Sequence, residues 1–179
     1  MEEKFDVLNE FGEFTGEVAT REECHKKGLW HRAVYAFIID KNSNILLQKR
    51  SAKKKLWPNM WDVTVGGHVD AGEFGRQSLI REVKEELGID ITDDDIKYLV
   101  GSSSINIKGD IINKHYNECY LITKDIDTSK IKLQEEEVSE VKYFSKEEVL
   151  SMIENNYSGL TEKTGPWNFL KRILNNYQK

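Results

Sequence analysis

The sequence predicts an α/β fold in a single domain, and three observations predict it. Several stretches are rich in β-branched and aromatic residues, Arg32 to Asp40 (RAVYAFIID) foremost. Leu79, Ile80, Val83 and Leu87 recur at helical spacing and fall within one arc of about 100°, the stripe of an amphipathic helix. The 179 residues suffice for one domain with a proper core and are too few for two comfortable ones.

Each element follows from local chemistry. Phe5 to Val18 reads as a hairpin turning through Asn9-Glu10-Phe11-Gly12. Thr20-Arg21-Glu22-Glu23 has the cap-then-acid pattern of a helix start, and Gly28 is a stop. Two strands follow, Arg32 to Asp40 and Ile45 to Arg50, then a basic loop from Ser51 to Lys55 closed by Trp57-Pro58. Trp61 to Val65 predicts a strand delivering the chain to Gly66-Gly67, where unhindered glycine backbone allows a sharp turn. The amphipathic helix ends at Gly88, a C′ glycine, and Asp93-Asp94-Asp95 marks a turn. Ile96 to Ile107 and His115 to Thr123 read as strands about a turn at Lys108-Gly109-Asp110, and Val138 to Phe144 as another strand. Ser145-Lys146-Glu147-Glu148 is a capping box for a helix to about Glu154. Asn155 to Gly165 reads as a polar connection. Pro166 opens a last helix with Trp167, Leu170, Ile173, Leu174 and Tyr177 on one side.

Composition narrows the function. A balance of 26 basic against 31 acidic residues, net −5, argues against a general nucleic-acid or membrane-surface binder. No apolar run approaches the length of a membrane span, and the acidic start Met1-Glu2-Glu3-Lys4 is unlike a signal peptide. Cys24 and Cys119 have no metal-ligand spacing, so free thiols in a reducing, cytoplasmic setting are expected.

The chemistry concentrates between Gly67 and Ile89. Gly67 is followed six residues later by Glu73, and eight after that by Arg81-Glu82-Val83-Lys84-Glu85-Glu86-Leu87-Gly88-Ile89. Glu82, Glu85 and Glu86 stand at i, i+3 and i+4, where like charges repel unless something neutralises them. A hard divalent cation does so best, usually Mg²⁺ held by a few carboxylates plus substrate phosphate. A solvated acidic face is the plainer reading, but it leaves Gly67, Glu73 and Arg81 unexplained.

The stretch resembles the Nudix box, G-x5-E-x7-R-E-U-x-E-E-x-G-U with U apolar. It matches at Gly67, Glu73, Arg81, Glu82, Val83, Glu85, Glu86, Gly88 and Ile89. The resemblance implies the α/β/α sandwich of that family, with residues 1–30 an N-terminal embellishment, 31–160 the Nudix core and 161–179 a C-terminal helix. It also implies a Mg²⁺-dependent hydrolase, Mn²⁺ serving as an alternative, that cleaves a diphosphate bond in a nucleoside diphosphate linked to another moiety. Glu82 and Glu86 would be the principal metal ligands, with Glu85 and the Gly67 backbone as further contacts. Arg81 would orient the carboxylates, and Glu73 would brace the loop. The general base is open among Glu85, Glu118 and Glu137.

The segment from His25 to His68 also resembles the type 1 isopentenyl-diphosphate isomerases, which share the fold and bind a metal through three histidines and two glutamates. His25, His31, His68 and Glu118 fall where four of those ligands would be, with the His25–His31 spacing one residue short. The isomerase's proton-transferring cysteine is replaced by Gly66, and the first of its paired glutamates aligns with Tyr116. An isomerase-like activity is therefore the second reading, and a non-catalytic nucleotide-binding module the third; the intact box favours the hydrolase. A small-molecule diphosphate is the expected partner, and the N-terminal hairpin offers a surface for a homodimer. Arg50, Lys53, Lys54 and Lys55 could steer a polyphosphate, although solvated loop charge is the plainer account. Trp30, Trp57, Trp61, Tyr35 and Phe37 supply either a base-stacking platform or core.

Overall fold

The computed structural model describes residues 2–161 and 164–176. Its centre is β3 (Trp30–Ile39), nearly all buried, running antiparallel to β4 (Ile45–Arg50) and parallel to β8 (Ile111–Thr123). The N-terminal hairpin, β1 (Lys4–Leu8) and β2 (Phe14–Thr20), joins β3 through the pair Leu8↔Trp30. Beyond β4 lie β5 (Trp61–Asp62) and β9 (Val138–Phe144), while β7 (Ile96–Lys108) pairs with β8. With β6 (Val65–His68) against β3, the sheet has nine strands and mixed direction.

Alternation along the strands divides the core. Val34, Ala36 and Ile38 face Leu79, Val83 and Leu87 of helix α2 (Gly75–Leu87). Tyr35, Phe37 and Ile39 face the other way, towards Val149 of α3 (Lys146–Glu154) and Trp167, Leu170 and Leu174 of α4 (Thr164–Asn176). Helices thus cover both faces, the layering of an α/β/α sandwich. A smaller cluster, Phe5, Val7, Ala19 and Cys24, seats helix α1 (Arg21–Lys27) beside the hairpin.

The expected caps are present. Thr20 and Glu23 form a capping box for α1, Ser145 and Glu148 one for α3, and Gly88 closes α2 at φ 68°. Three expectations need correction. The strand expected over Trp61 to Val65 is two strands. Thr64 breaks it, its hydroxyl accepting from Ile38 N at 2.9 Å and donating to the Leu46 carbonyl, as the chain leaves β4 for β3. Gly66 and Gly67 are not a turn but part of β6. The connection after α3 is partly buried: Leu160 bridges to Trp61, and Thr161 donates to the Asp62 carboxylate at 3.1 Å. Tyr177, expected on the last helix, lies outside the described residues.

Candidate active site

The box begins on β6 and ends on α2, which packs directly over that strand. A Cβ at Gly67 would overlap the Glu82 carboxyl, so only glycine lets the first helical carboxylate lie flat on the strand. This close approach, rather than turning, explains the residue. Glu86, one turn on, is 4% exposed, and its Oε2 is buried with no hydrogen-bond partner. Glu85 is exposed.

Arg81 organises the acids. It donates to Glu82 at 2.9 Å and Glu85 at 3.3 Å through Nη1, and to the His68 carbonyl at 3.2 Å and Glu73 at 3.4 Å through Nη2. Asp70 lies 3.4 Å from the same nitrogen. Burial works to lower the pKa of Arg81, but Glu82, Asp70 and Glu73 outweigh it and hold the guanidinium more firmly protonated. Glu73 also accepts from Ser78 Oγ at 2.5 Å, so it braces the loop against the first turn of α2.

One guanidinium does not compensate these acids. Burial pushes Glu82 up to about 7 despite Arg81. Burial, then Glu82 and Glu137, push Glu86 well above the carboxylate range, with Lys54 opposing. A half-buried carboxylate, Glu82, and a buried one, Glu86, with an orphaned oxygen fit a hard divalent cation, which would return both to the ionised form.

The outlying candidates occupy different sides of the box. Glu137, on the loop before β9, is ion-paired with Lys54, and that loop is tied to α2 by Gln134 N donating to the Glu86 carbonyl at 3.0 Å. Glu118, on β8, abuts Gly75 at the start of α2, where a Cβ would overlap its carboxyl, and it accepts from the Tyr120 hydroxyl. It lines an open cavity of about 400 Å³ together with Arg32, Gly101, Ser102 and Tyr116. Arg32 donates to the Glu73 carbonyl at 2.7 Å, connecting that cavity to the box loop.

The remaining expectations sort by contact. Arg50 is committed to Asp62 at 3.1 Å and Lys53 to Glu136 at 3.4 Å, so with Lys54 bound to Glu137 the basic loop is largely neutralised by partners. Tyr35 and Phe37 are core, and Trp61 packs edge-on against Phe144. Trp30 packs obliquely on Tyr116, with ring centroids 4.9 Å apart, and Tyr116 lines the cavity.

His25, His31 and His68 do come together, but the fourth member of their cluster is His115 and not Glu118. The isomerase-like ligand set is thus not assembled, because Glu118 and His115 differ in parity on β8 and point to opposite faces. The parallel register His31↔His115 that brings His115 in is a long-range pairing. Its sequence trace is thin: the chain has four histidines, and all four meet.

Comparison with known proteins agrees with this geometry. The NUDIX domain family model matches residues 29–163. Nudix hydrolase 3 of Arabidopsis thaliana is 40% identical over 152 residues, which span 82% of this chain and only 20% of that protein. An uncharacterized Nudix hydrolase of Listeria monocytogenes is 35% identical over 147 residues, 82% of each chain. Among solved structures, DR0079 of Deinococcus radiodurans superposes with a TM-score of 0.70 at 23% identity, covering 95% of this chain and 98% of that one. The NUDIX domain of Shewanella oneidensis NrtR, complexed with ADP ribose, gives a TM-score of 0.59 at 18% identity, with coverages of 86% and 97%. The chain belongs to the Nudix family, hydrolases that act on diphosphate bonds and generally use divalent cations.

Proposed function

We propose that this chain hydrolyses a diphosphate bond in a nucleoside diphosphate linked to another moiety, with Mg²⁺ held by Glu82 and Glu86. The observation that carries the reading is the pair itself: two carboxylates drawn out of water on one helix face, Glu82 held by Arg81 and Glu86 with an unpartnered oxygen. Bound there, Mg²⁺ supplies charge neutralisation on the phosphate oxygens and lowers the pKa of a coordinated water. Glu85, exposed at the same helix face, is positioned to complete the metal shell or to take a proton from that water. Arg81 is a positioning residue, holding Glu82 and Glu85 in place.

The cavity beside Glu118 supports the substrate class. Its 400 Å³ suits a nucleoside-sized group, and strand parity puts Arg32 and Glu118 on the sheet face that carries α2. The NrtR domain, of the same fold, is seen with ADP ribose, a molecule of this class.

A panel of nucleoside diphosphate derivatives, assayed with Mg²⁺ and Mn²⁺ and with both products identified by mass spectrometry, tests the proposal. Glu86→Gln is expected to reduce turnover by on the order of 10²–10³-fold, the usual cost of removing one charge-stabilising group. Wild-type turnover in both Glu85→Gln and Glu86→Gln would sink the reading.

A further inference from the structure

On the sheet face away from α2, His25 of α1, His31 of β3, His68 of β6 and His115 of β8 converge, each offering one ring nitrogen, all within 4.8 Å of one another. These are all the histidines in the chain. His31 is fully buried, and its Nδ1 lies 2.9 Å from the Leu29 carbonyl, a contact that makes Nδ1 the donor and leaves the lone pair on Nε2. That Nε2 is buried with no hydrogen-bond partner, as are the Nε2 atoms of His25 and His68. A backbone carbonyl holding one ring nitrogen so that the other faces inward is the usual support of a metal-ligating histidine. Phe5 packs against the cluster, stacking on His31 at 5.1 Å and on His68 at 4.7 Å between ring centroids.

We propose that His25, His31, His68 and His115 form a second metal centre, distinct from the Nudix box, that takes a borderline transition-metal ion of the Zn²⁺ type. The donor set is four neutral imidazoles with no carboxylate, which suits Zn²⁺, Co²⁺ or Ni²⁺ and disfavours Mg²⁺, an oxygen-seeking ion. A tetrahedron with metal–nitrogen bonds of about 2.0–2.1 Å has edges of about 3.4 Å, so small ring movements close the cage from its present spacing. The centre ties four separate elements together, α1, β3, β6 and β8. It also reaches the box without joining it. Gly67 and His68 are consecutive, the first beneath Glu82 and the second in the cluster, and Arg81 donates to the His68 carbonyl at 3.2 Å. An ion among the histidines therefore fixes the strand on which the box carboxylates rest.

The experiment uses the full chain, stripped with chelator and titrated with Zn²⁺ and Co²⁺ alone. A double variant, Glu82→Gln with Glu86→Gln, silences the box. It is expected to retain one Zn²⁺ per chain, to show the visible bands of nitrogen-coordinated Co²⁺, and to melt at a higher temperature with Zn²⁺ than without. His115→Ala in that background should weaken Zn²⁺ binding by at least about 10-fold. Should the histidine variant fail to fold, zinc-edge X-ray absorption of the box-silenced protein reads the ligands with every histidine in place, and imidazole scattering is expected. Absence of Zn²⁺ binding in the box-silenced protein, unchanged affinity in a folded His115→Ala, or a shell of carboxylate or thiolate ligands would each overturn the proposal. Because the box is silenced throughout, failure here leaves the hydrolase reading standing.

Discussion

At the scale of single residues, burial and charge set opposite pH responses in the metal-free protein. Burial raises Glu82 from 4.5 to about 7, so between those values the folded chain keeps a proton that the unfolded chain releases. Its contribution to stability therefore falls as pH rises through that window. His25 is lowered from 6.5 to about 4 by burial, so there the unfolded chain takes up the proton and stability falls as pH drops. Comparing wild type with Glu82→Gln isolates the carboxylate. With chelator present, the difference in unfolding free energy should decline as pH rises from about 5 to about 7, by at most about 1.4 kcal/mol per pH unit. Denaturant melts across that range make the measurement, and a flat difference would contradict the burial assigned to Glu82.

At the scale of elements, the site depends on one strand switch. The run Trp61 to Val65 has the composition of a single strand, and nothing in it announces a break. The break comes because β4 and β3 diverge after the pairs Ile38↔Leu46 and Ile39↔Ile45, and the chain must leave one to reach the other. Thr64, fully buried, spans the gap with both hydrogen bonds of its hydroxyl. Thr64→Val keeps the shape but strands the Ile38 N–H and the Leu46 carbonyl, and should cost about 1–3 kcal/mol. A denaturant midpoint equal to that of wild type would show that the hydroxyl does not hold the switch. The helices were easier to foresee, since their caps lie within three residues of each other: Thr20 with Glu23 and Ser145 with Glu148.

At the scale of the whole molecule, the sheet separates two chemistries. Carboxylates lie on the face covered by α2 and imidazoles on the other, with consecutive residues of β6 contributing to each. Core support is divided the same way, α2 packing one side while α3 and α4 pack the second. Leu170, fully buried on α4, belongs to the side away from the box. Leu170→Ala should lower stability by about 2–5 kcal/mol through the cavity it leaves, while kcat at a temperature well below the melt stays near the wild-type value. A loss of kcat without a loss of stability would mean that α4 contributes to the site directly.

What the sequence determined by itself was whatever depends on neighbours along the chain. The box needs its carboxylates at i, i+3 and i+4 on one helix, and the caps need a hydroxyl and an acid one turn apart; such spacings are written in order. Gly67 was legible as a requirement, yet its reason was not, because the Glu82 carboxyl that fills the space above it arrives from 15 residues away. The tertiary structure alone decided the rest. Parallel pairing of β3 with β8 sets His115 beside His31 and sends Glu118 to the other face. A shift of that register by one residue would exchange the two, since side chains alternate with a period of two. That choice is made by long-range strand pairing and core packing, which no local pattern around His115 records.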